Sequence, residues 1–285
     1  MVPAKKITKN LCRHFTTMKG NNMLSKREAL KNVDMFVLDM DGTFYLGDQI
    51  IDGALDFIHK VREEGKRFLF FTNNASKVSS FYKAKLEKMG LIVDDKDIMT
   101  AGDVTIEYIK SFYPGKRIYL NGTPLLEQSF LDAGIHLVDE KPDVVIQSFD
   151  KTLTYKKLEN ICNYIREGVP FLATHLDTNC PTETGFIPDC GAICDLIISS
   201  TGVKPKFLGK PCKETLDMVL KITGCGIDQI AFVGDRIYTD VATGVKNGAK
   251  GFLVLTGEAD MKTVAESEIE PTCIYDSLYE MSKYM

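Results

Sequence analysis

Four short polar strings in this sequence combine residue types that could do chemistry together: Asp39-Met40-Asp41-Gly42-Thr43, Thr72-Asn73-Asn74, Gly209-Lys210-Pro211 and Gly234-Asp235 with Asp240 five residues on. Side chains alternate along extended backbone, so Asp39 and Asp41 point to the same side. Two carboxylates held that close repel unless a cation neutralises them or one keeps its proton. Asp235 brings a third negative group from elsewhere in the chain. Three carboxylates in one crevice call for a hard, oxygen-ligated divalent cation such as Mg²⁺. The Thr72 hydroxyl and Asn73 amide suit phosphate oxygens, and Lys210 offers a point charge. A cation, a lysine, a free carboxylate and anion-binding groups in one site describe phosphoryl transfer, where positioning and charge stabilisation carry the catalysis.

What must position these strings is equally visible. Each directly follows a short apolar run: 36–38, 68–71, 207–208 and 230–233. Runs of this kind, at 35–38, 67–71, 118–120, 144–147, 171–173, 206–208, 230–233, 252–255 and 273–275, alternate with helical patterns. The helices are expected over 54–64, 79–89, 104–112, 124–133, 155–167, 213–223, 241–247 and 261–267. Such alternation predicts an α/β protein with a Rossmann-like, doubly wound parallel sheet. Runs that are apolar throughout suit strands covered on both faces. Ligands of open parallel sheets bind at the carboxyl ends of the strands, where all four strings fall.

The chain has 285 residues, about two domains' worth. No long linker separates two halves, so one domain is expected to be inserted in the other. The chain should leave at Tyr113-Pro114-Gly115 and return between Gly202 and Pro205. This divides it into a basic tail at 1–27, a core at 28–114 and 205–285, and an inserted α/β cap at 115–204. The tail carries Lys5, Lys6, Lys9, Arg13, Lys19, Lys26 and Arg27 and no acid. It resembles an organellar presequence in lacking acids, but its apolar residues are too sparse for an amphipathic helix, and a disordered extension, or a start nearer Met23, is the expectation.

The whole chain has 35 Lys and Arg against 39 Asp and Glu; without those seven, 28 face 39, a charge of −11. A phosphate-bearing ligand must therefore be held by local cations, and there is no general electrostatic reason to bind nucleic acid or an anionic membrane. No apolar stretch is long enough to span a bilayer. Eight scattered cysteines without a Cys-x-x-Cys pair read as reduced thiols, which suits the cytoplasm. His175, Cys180, Cys190 and Cys194 fall close together, but without the tight pairing of a zinc ribbon, and are expected to be ordinary side chains of a loop and the helix after it.

With the strings Asp39-x-Asp41-Gly42-Thr43, Thr72-Asn73-Asn74, Lys210 and Gly234-Asp235-x5-Asp240 in order, residues 31 to 285 resemble the haloacid dehalogenase superfamily. Residues 71–76 and Gly209-Lys210-Pro211, with about 135 residues between Asn74 and Lys210, look like its NagD-type or 4-nitrophenylphosphatase-like branch, which carries a large α/β cap. The resemblance implies that Asp39 attacks phosphorus, forming an aspartyl phosphate, while Asp41 serves as acid and then base. It implies Mg²⁺ held by Asp39, Asp235 and the backbone carbonyl of Asp41, with Asp240 supporting the metal site from behind. Thr72, Asn73, Asn74 and Lys210 would hold the phosphoryl group. A cap loop after 171–173 would hang over the site and bring Asp177 and His175 toward the leaving group. The expected activity is hydrolysis of small phosphate esters, by a monomer or a homodimer. A phosphotransferase or mutase on the same scaffold, and a phosphate-binding module without turnover, are the alternatives. Asp41 disfavours a dehalogenase.

Overall fold

A computed structural model describes residues 25–182 and 184–285. Residues 1–24 of the basic tail lie outside the described residues. Its last three do not continue as tail: Ser25 accepts a hydrogen bond from the Glu28 amide at 3.3 Å and starts the short helix Lys26–Ala29. Lys26 Nζ stands 2.6 Å from Glu280 Oε2, which ties this helix to the C-terminal one.

The protein is α/β and built on two parallel sheets. The first has six strands in the order Cys273–Tyr275, Lys250–Val254, Ile230–Gly234, Met35–Leu38, Arg67–Thr72 and Ile98–Thr100. The Met35–Leu38 strand is central, buried along its length, with Leu38 beside Val233 on one side and Phe70 on the other. Alternate side chains enter different layers, as the pleat requires. Phe36, Leu38, Phe68 and Phe70 join one core with Phe57, Ile58 and Leu86 of the helices Ala54–Glu63 and Ser79–Lys88. Met35, Val37, Leu69 and Phe71 join another with Val104, Leu216 and Val219.

The chain passes through Tyr113-Pro114-Gly115 into the second sheet, ordered Lys206–Phe207, Phe171–Ala173, Val144–Gln147, Arg117–Asn121, His136–Leu137. Ile118, Val144 and Ile146 on one face belong to the same apolar core as Val37 and Phe71. The opposite face, with Tyr119 and Val145, is covered by the helices Tyr155–Arg166 and Cys190–Thr201.

Several elements differ from the expected ones. The strand Lys206–Phe207 pairs with Phe171–Ala173, so it is the edge of the second sheet, not part of the core that was to begin at 205. Two residues are too few to show locally which sheet they join. Ile98–Thr100 adds an unexpected edge strand to the first sheet. The helix Ala101–Phe112 starts earlier than its apolar spacing indicated, because Thr100 and Asp103 form a reciprocal cap: Thr100 N donates to the Asp103 carboxylate and Asp103 N to the Thr100 hydroxyl. Two hairpins, Tyr45–Leu46 with Gln49–Ile50 and Asn179–Thr182 with Gly185–Pro188, were also not expected as elements, while the helix expected after the cysteine-containing loop is Cys190–Thr201.

Candidate active site

Three adjacent strands of the first sheet end at one crevice, and their register explains why the polar strings meet. Leu38, Phe70 and Val233 lie side by side, so the residues that follow them emerge together. Asp39 is fixed by its own amide, which donates to Val233 O at 2.8 Å. Lys210 arrives from the second sheet. Its predecessors continue from the Phe207 edge along Phe171–Ala173, with Leu208 N donating to Ala173 O and Gly209 N to Thr174 O. Gly209 has no room for a side chain: a Cβ would stand 2.7 Å from Thr174 O and 2.8 Å from Asn73 Oδ1.

Lys210 is the hub. It is 3% exposed, and its Nζ donates to Asp39 Oδ1 at 2.6 Å, Asp240 Oδ1 at 2.5 Å and Phe71 O at 3.2 Å. Burial alone would depress the ammonium's pKa; Asp240 and Asp39 more than reverse this and hold it above its ordinary value.

The carboxylates show the opposite stress. Asp39, Asp235 and Asp240 each bring an oxygen within 4.8 Å of the others. Burial, then the charges of Asp39 and Asp240, push Asp235 up to about 7. Burial also raises Asp240, to about 6, against the attraction of Lys210. Asp235 is tightly walled. Its Oδ2 accepts from Glu258 N at 2.7 Å and its Oδ1 from the Thr43 hydroxyl at 3.3 Å. Side chains at Gly42 and Gly257 would place Cβ atoms 2.4 and 2.0 Å from Asp235 Oδ2. Gly42 in addition holds φ at +86°, a conformation that favours glycine. An all-oxygen set carrying surplus negative charge suits a hard divalent cation. Asp240, expected to support the metal site from behind, lies in the same cluster, with an oxygen within 4.8 Å of those of Asp39 and Asp235. Asp41 faces solvent beside this group; lost hydration and then Asp39 raise its pKa, the condition of a carboxyl able to keep a proton.

Not every expected residue points where it was expected to. Asn73 spends its amide on protein: Oδ1 accepts from Lys210 N at 2.9 Å, and Nδ2 donates to Lys210 O at 3.0 Å and to Asp177 Oδ2 at 3.2 Å. Asn74 Oδ1 takes the amide and hydroxyl of Ser76, closing a local turn. The half-buried Thr72 accepts from Asn74 N at 3.1 Å. Asp177 does reach the site, through Asn73.

His175 does not. It is fully buried, with Nδ1 2.9 Å from the Thr174 hydroxyl and Nε2 2.9 Å from Asp189 Oδ1, so the expectation that it faces the leaving group is corrected. Burial would lower its pKa, but Cys190 and Asp189 carry it up to about 9. Cys190 and Cys194 are core residues of the second sheet's outer layer, and the seven cysteines described form no disulfide. His175, Asp177 and Asp189 form a second close cluster of possible metal donors. Asp189 was not singled out from sequence, although its place as cap of the following helix was a readable signal.

Arg236 was also missed, though it directly follows Asp235. Its Nε is buried 2.9 Å from Glu258 Oε2, but out of line for a hydrogen bond. It shares a cleft of about 450 Å³ with Asp177, Tyr238, Phe186 and Glu258.

Residues 36–136 match the haloacid dehalogenase-like hydrolase family, and residues 207–281 a related hydrolase family of the same superfamily. The chain is 33% identical to an acid sugar phosphatase of Staphylococcus aureus over 252 residues, covering 88% of this chain and 97% of the relative. In structure it resembles the 4-nitrophenylphosphatase of Thermotoga maritima (TM-score 0.87, 41% identity, 90% and 98% of the two chains). It also resembles the glycerol phosphate phosphatase of Mycobacterium tuberculosis in complex with calcium (TM-score 0.82, 28% identity, 90% and 77%). With matches of this extent in sequence and in structure, the chain belongs to the haloacid dehalogenase superfamily, in its branch of NagD-like and 4-nitrophenylphosphatase-like proteins.

Proposed function

We propose that the protein is a Mg²⁺-dependent phosphomonoester hydrolase acting on small phosphorylated metabolites through an aspartyl phosphate on Asp39. The observation that carries this is the Asp39 carboxylate beside the buried ammonium of Lys210, within one cluster with Asp235 and Asp240. An Asp39 oxygen attacks phosphorus and the bond to the ester oxygen breaks; Asp41 delivers a proton to that oxygen, releasing the alcohol. Asp41 then takes a proton from water as the water attacks phosphorus, and inorganic phosphate leaves with Asp39 restored. Lys210 and the Thr72 hydroxyl offset charge on the transferring oxygens. Asp39 and Asp235, joined by Asp240, would hold Mg²⁺, which supplies Lewis-acid charge neutralisation when bound. Asn73 contributes by holding the Lys210 backbone on both its N–H and C=O sides.

Phosphatase activity of the similar proteins supports the reading, as does the 450 Å³ cleft, a size suited to small molecules. No helix among the described residues is long and apolar enough to cross a membrane, and the unbridged cysteines support a reducing, cytoplasmic setting. The test is release of inorganic phosphate from aryl, sugar and glycerol phosphates with Mg²⁺, for wild type, Asp39→Asn and Asp41→Asn. Wild type should exceed Asp39→Asn by at least a thousandfold, an order expected when a nucleophile is removed. Equal rates would end the hydrolase reading.

A further inference from the structure

The second group of possible metal donors differs from the crevice carboxylates in chemistry. His175, Asp177 and Asp189 each bring a ring nitrogen or a carboxylate oxygen within 4.8 Å of the others, and none is more than 7% exposed. One oxygen there is unexplained. Asp177 Oδ2 accepts from Asn73 at 3.2 Å, but the buried Asp177 Oδ1 has no hydrogen-bond partner. A buried oxygen left bare costs on the order of 1–3 kcal/mol, more when charged, and marks a place for an ion or an ordered water.

The protein itself holds the donors in place. Gly191 is where the helix Cys190–Thr201 meets the loop: its amide donates to Asp177 O at 2.7 Å, and a Cβ there would stand 2.2 Å from Leu176 O. Asp189 N donates to Thr178 O at 3.0 Å, and Asp189 Oδ1 accepts from Cys190 N at 2.6 Å. These bonds fix Asp189 against the loop of His175 and Asp177. The other ring nitrogen, His175 Nδ1, lies 2.9 Å from the Thr174 hydroxyl, which can donate its own hydrogen to Ser148 Oγ at 3.2 Å. With Nδ1–H on Thr174, Nε2 presents its lone pair to the two carboxylates, the arrangement of a metal-bound histidine.

Without an ion, Nε2 carries the proton and donates to Asp189 Oδ1, 2.9 Å away. Donors around zinc stand about 3.4 Å apart, so this contact would open by about half an ångström. One neutral imidazole and two carboxylates carry the charge that a divalent ion cancels, and the nitrogen favours a first-row transition ion over Mg²⁺. We infer that His175, Asp177 and Asp189 bind a second divalent ion of the Zn²⁺ or Co²⁺ type. Asp177 also lines the 450 Å³ cleft, which gives the ion a way in and water to complete its shell. The ion fastens the loop to the helix Cys190–Thr201. Through Asn73, which bonds both Asp177 and the Lys210 backbone, it fastens the loop to the crevice as well. The inference goes beyond the hydrolase reading and does not depend on it.

The experiment uses the full chain, stripped with EDTA and then kept in excess Mg²⁺ to occupy the crevice carboxylates, and titrates it with Co²⁺. Visible absorption reports Co²⁺ in a site of few ligands, and a near-ultraviolet charge-transfer band reports a thiolate ligand. Wild type should take up one such ion without that band. Co²⁺ should also broaden or shift the ring resonances of His175, while the exposed His59 and His136 keep theirs. Asp177→Asn, which keeps the shape, and His175→Gln should each weaken Co²⁺ binding at least tenfold, whereas Asp235→Asn should leave it unchanged. A wild type without the visible spectrum, a thiolate band, or a His175 ring untouched by Co²⁺ overturns the inference. So does binding that is lost in Asp235→Asn and kept in Asp177→Asn, since that assigns the ion to the crevice. The wild-type ring resonance decides the matter even if His175→Gln fails to fold. No turnover enters the measurement, so its failure is distinct from failure of the hydrolase reading.

Discussion

Removing Asp235 should make the metal-free protein more stable, not less. The reasoning starts from its carboxyl, raised from 3.8 to about 7 in the folded protein by burial and by Asp39 and Asp240. Between those two pH values the folded state holds a proton that the unfolded state has released. Folding stability therefore falls as pH rises from about 4, and the fall is complete above about 7. At 1.36 kcal/mol per unit, the shift amounts to about 4 kcal/mol. Asp235→Asn keeps the shape and remains neutral. Its carbonyl can take the Glu258 amide and its NH₂ can face the Thr43 hydroxyl, which is free to accept. Urea unfolding in EDTA, followed from pH 4 to pH 8, should show the two proteins nearly equal at the acid end. At pH 8 the variant should lead by up to about 4 kcal/mol. Mg²⁺ should narrow that gap, since only wild type gains the binding contribution, about 2.7 kcal/mol at a hundred times Kd and about 4.1 kcal/mol at a thousand times Kd, where the two proteins should again be nearly equal. A difference independent of pH, or a less stable variant at pH 8 in EDTA, would refute the claim that these carboxylates are held together against repulsion.

Gly257→Ala would put a methyl 2.0 Å from Asp235 Oδ2, forcing that carboxylate aside; stability should drop by about 1–3 kcal/mol and the Mg²⁺ concentration for half-maximal phosphate release should rise at least tenfold. His175, carried up to about 9 by Cys190 and Asp189 against the effect of burial, should give an imidazole resonance that titrates well above the usual 6.5. Its contribution to stability should be full below about 6.5 and lost as pH rises through about 9; in Asp189→Asn the resonance should titrate at lower pH, and an unchanged midpoint would exclude that ion pair as a cause.

How much of this was legible in the sequence depended on distance along the chain. Asp39, Thr72 and Asp235 follow buried runs whose apolar character alone marks them as interior strands, so their convergence could be read from three local patterns. The directions of side chains could not. Asn73 and Asn74 are neighbours of identical type, yet one clamps Lys210 and the other folds back on Ser76, a choice made by a residue 137 positions away. His175 looked available because its string is polar; the helix beginning at Cys190, capped by Asp189, is what buries it. Short edge strands such as Ile98–Thr100 and Lys206–Phe207 carry too few residues for periodicity, and their membership is decided by the strand beside them.

That last pairing ties the buried lysine of the crevice to architecture. Because Lys206 and Phe207 are stitched to the second sheet, the polypeptide has only Leu208 and Gly209 in which to reach Lys210, and both are themselves tethered to the Phe171–Ala173 strand and its next residue. Any tilt of that sheet would tug on the ammonium like a short leash. The charge balance of the crevice would thereby become a gauge of how the second sheet sits.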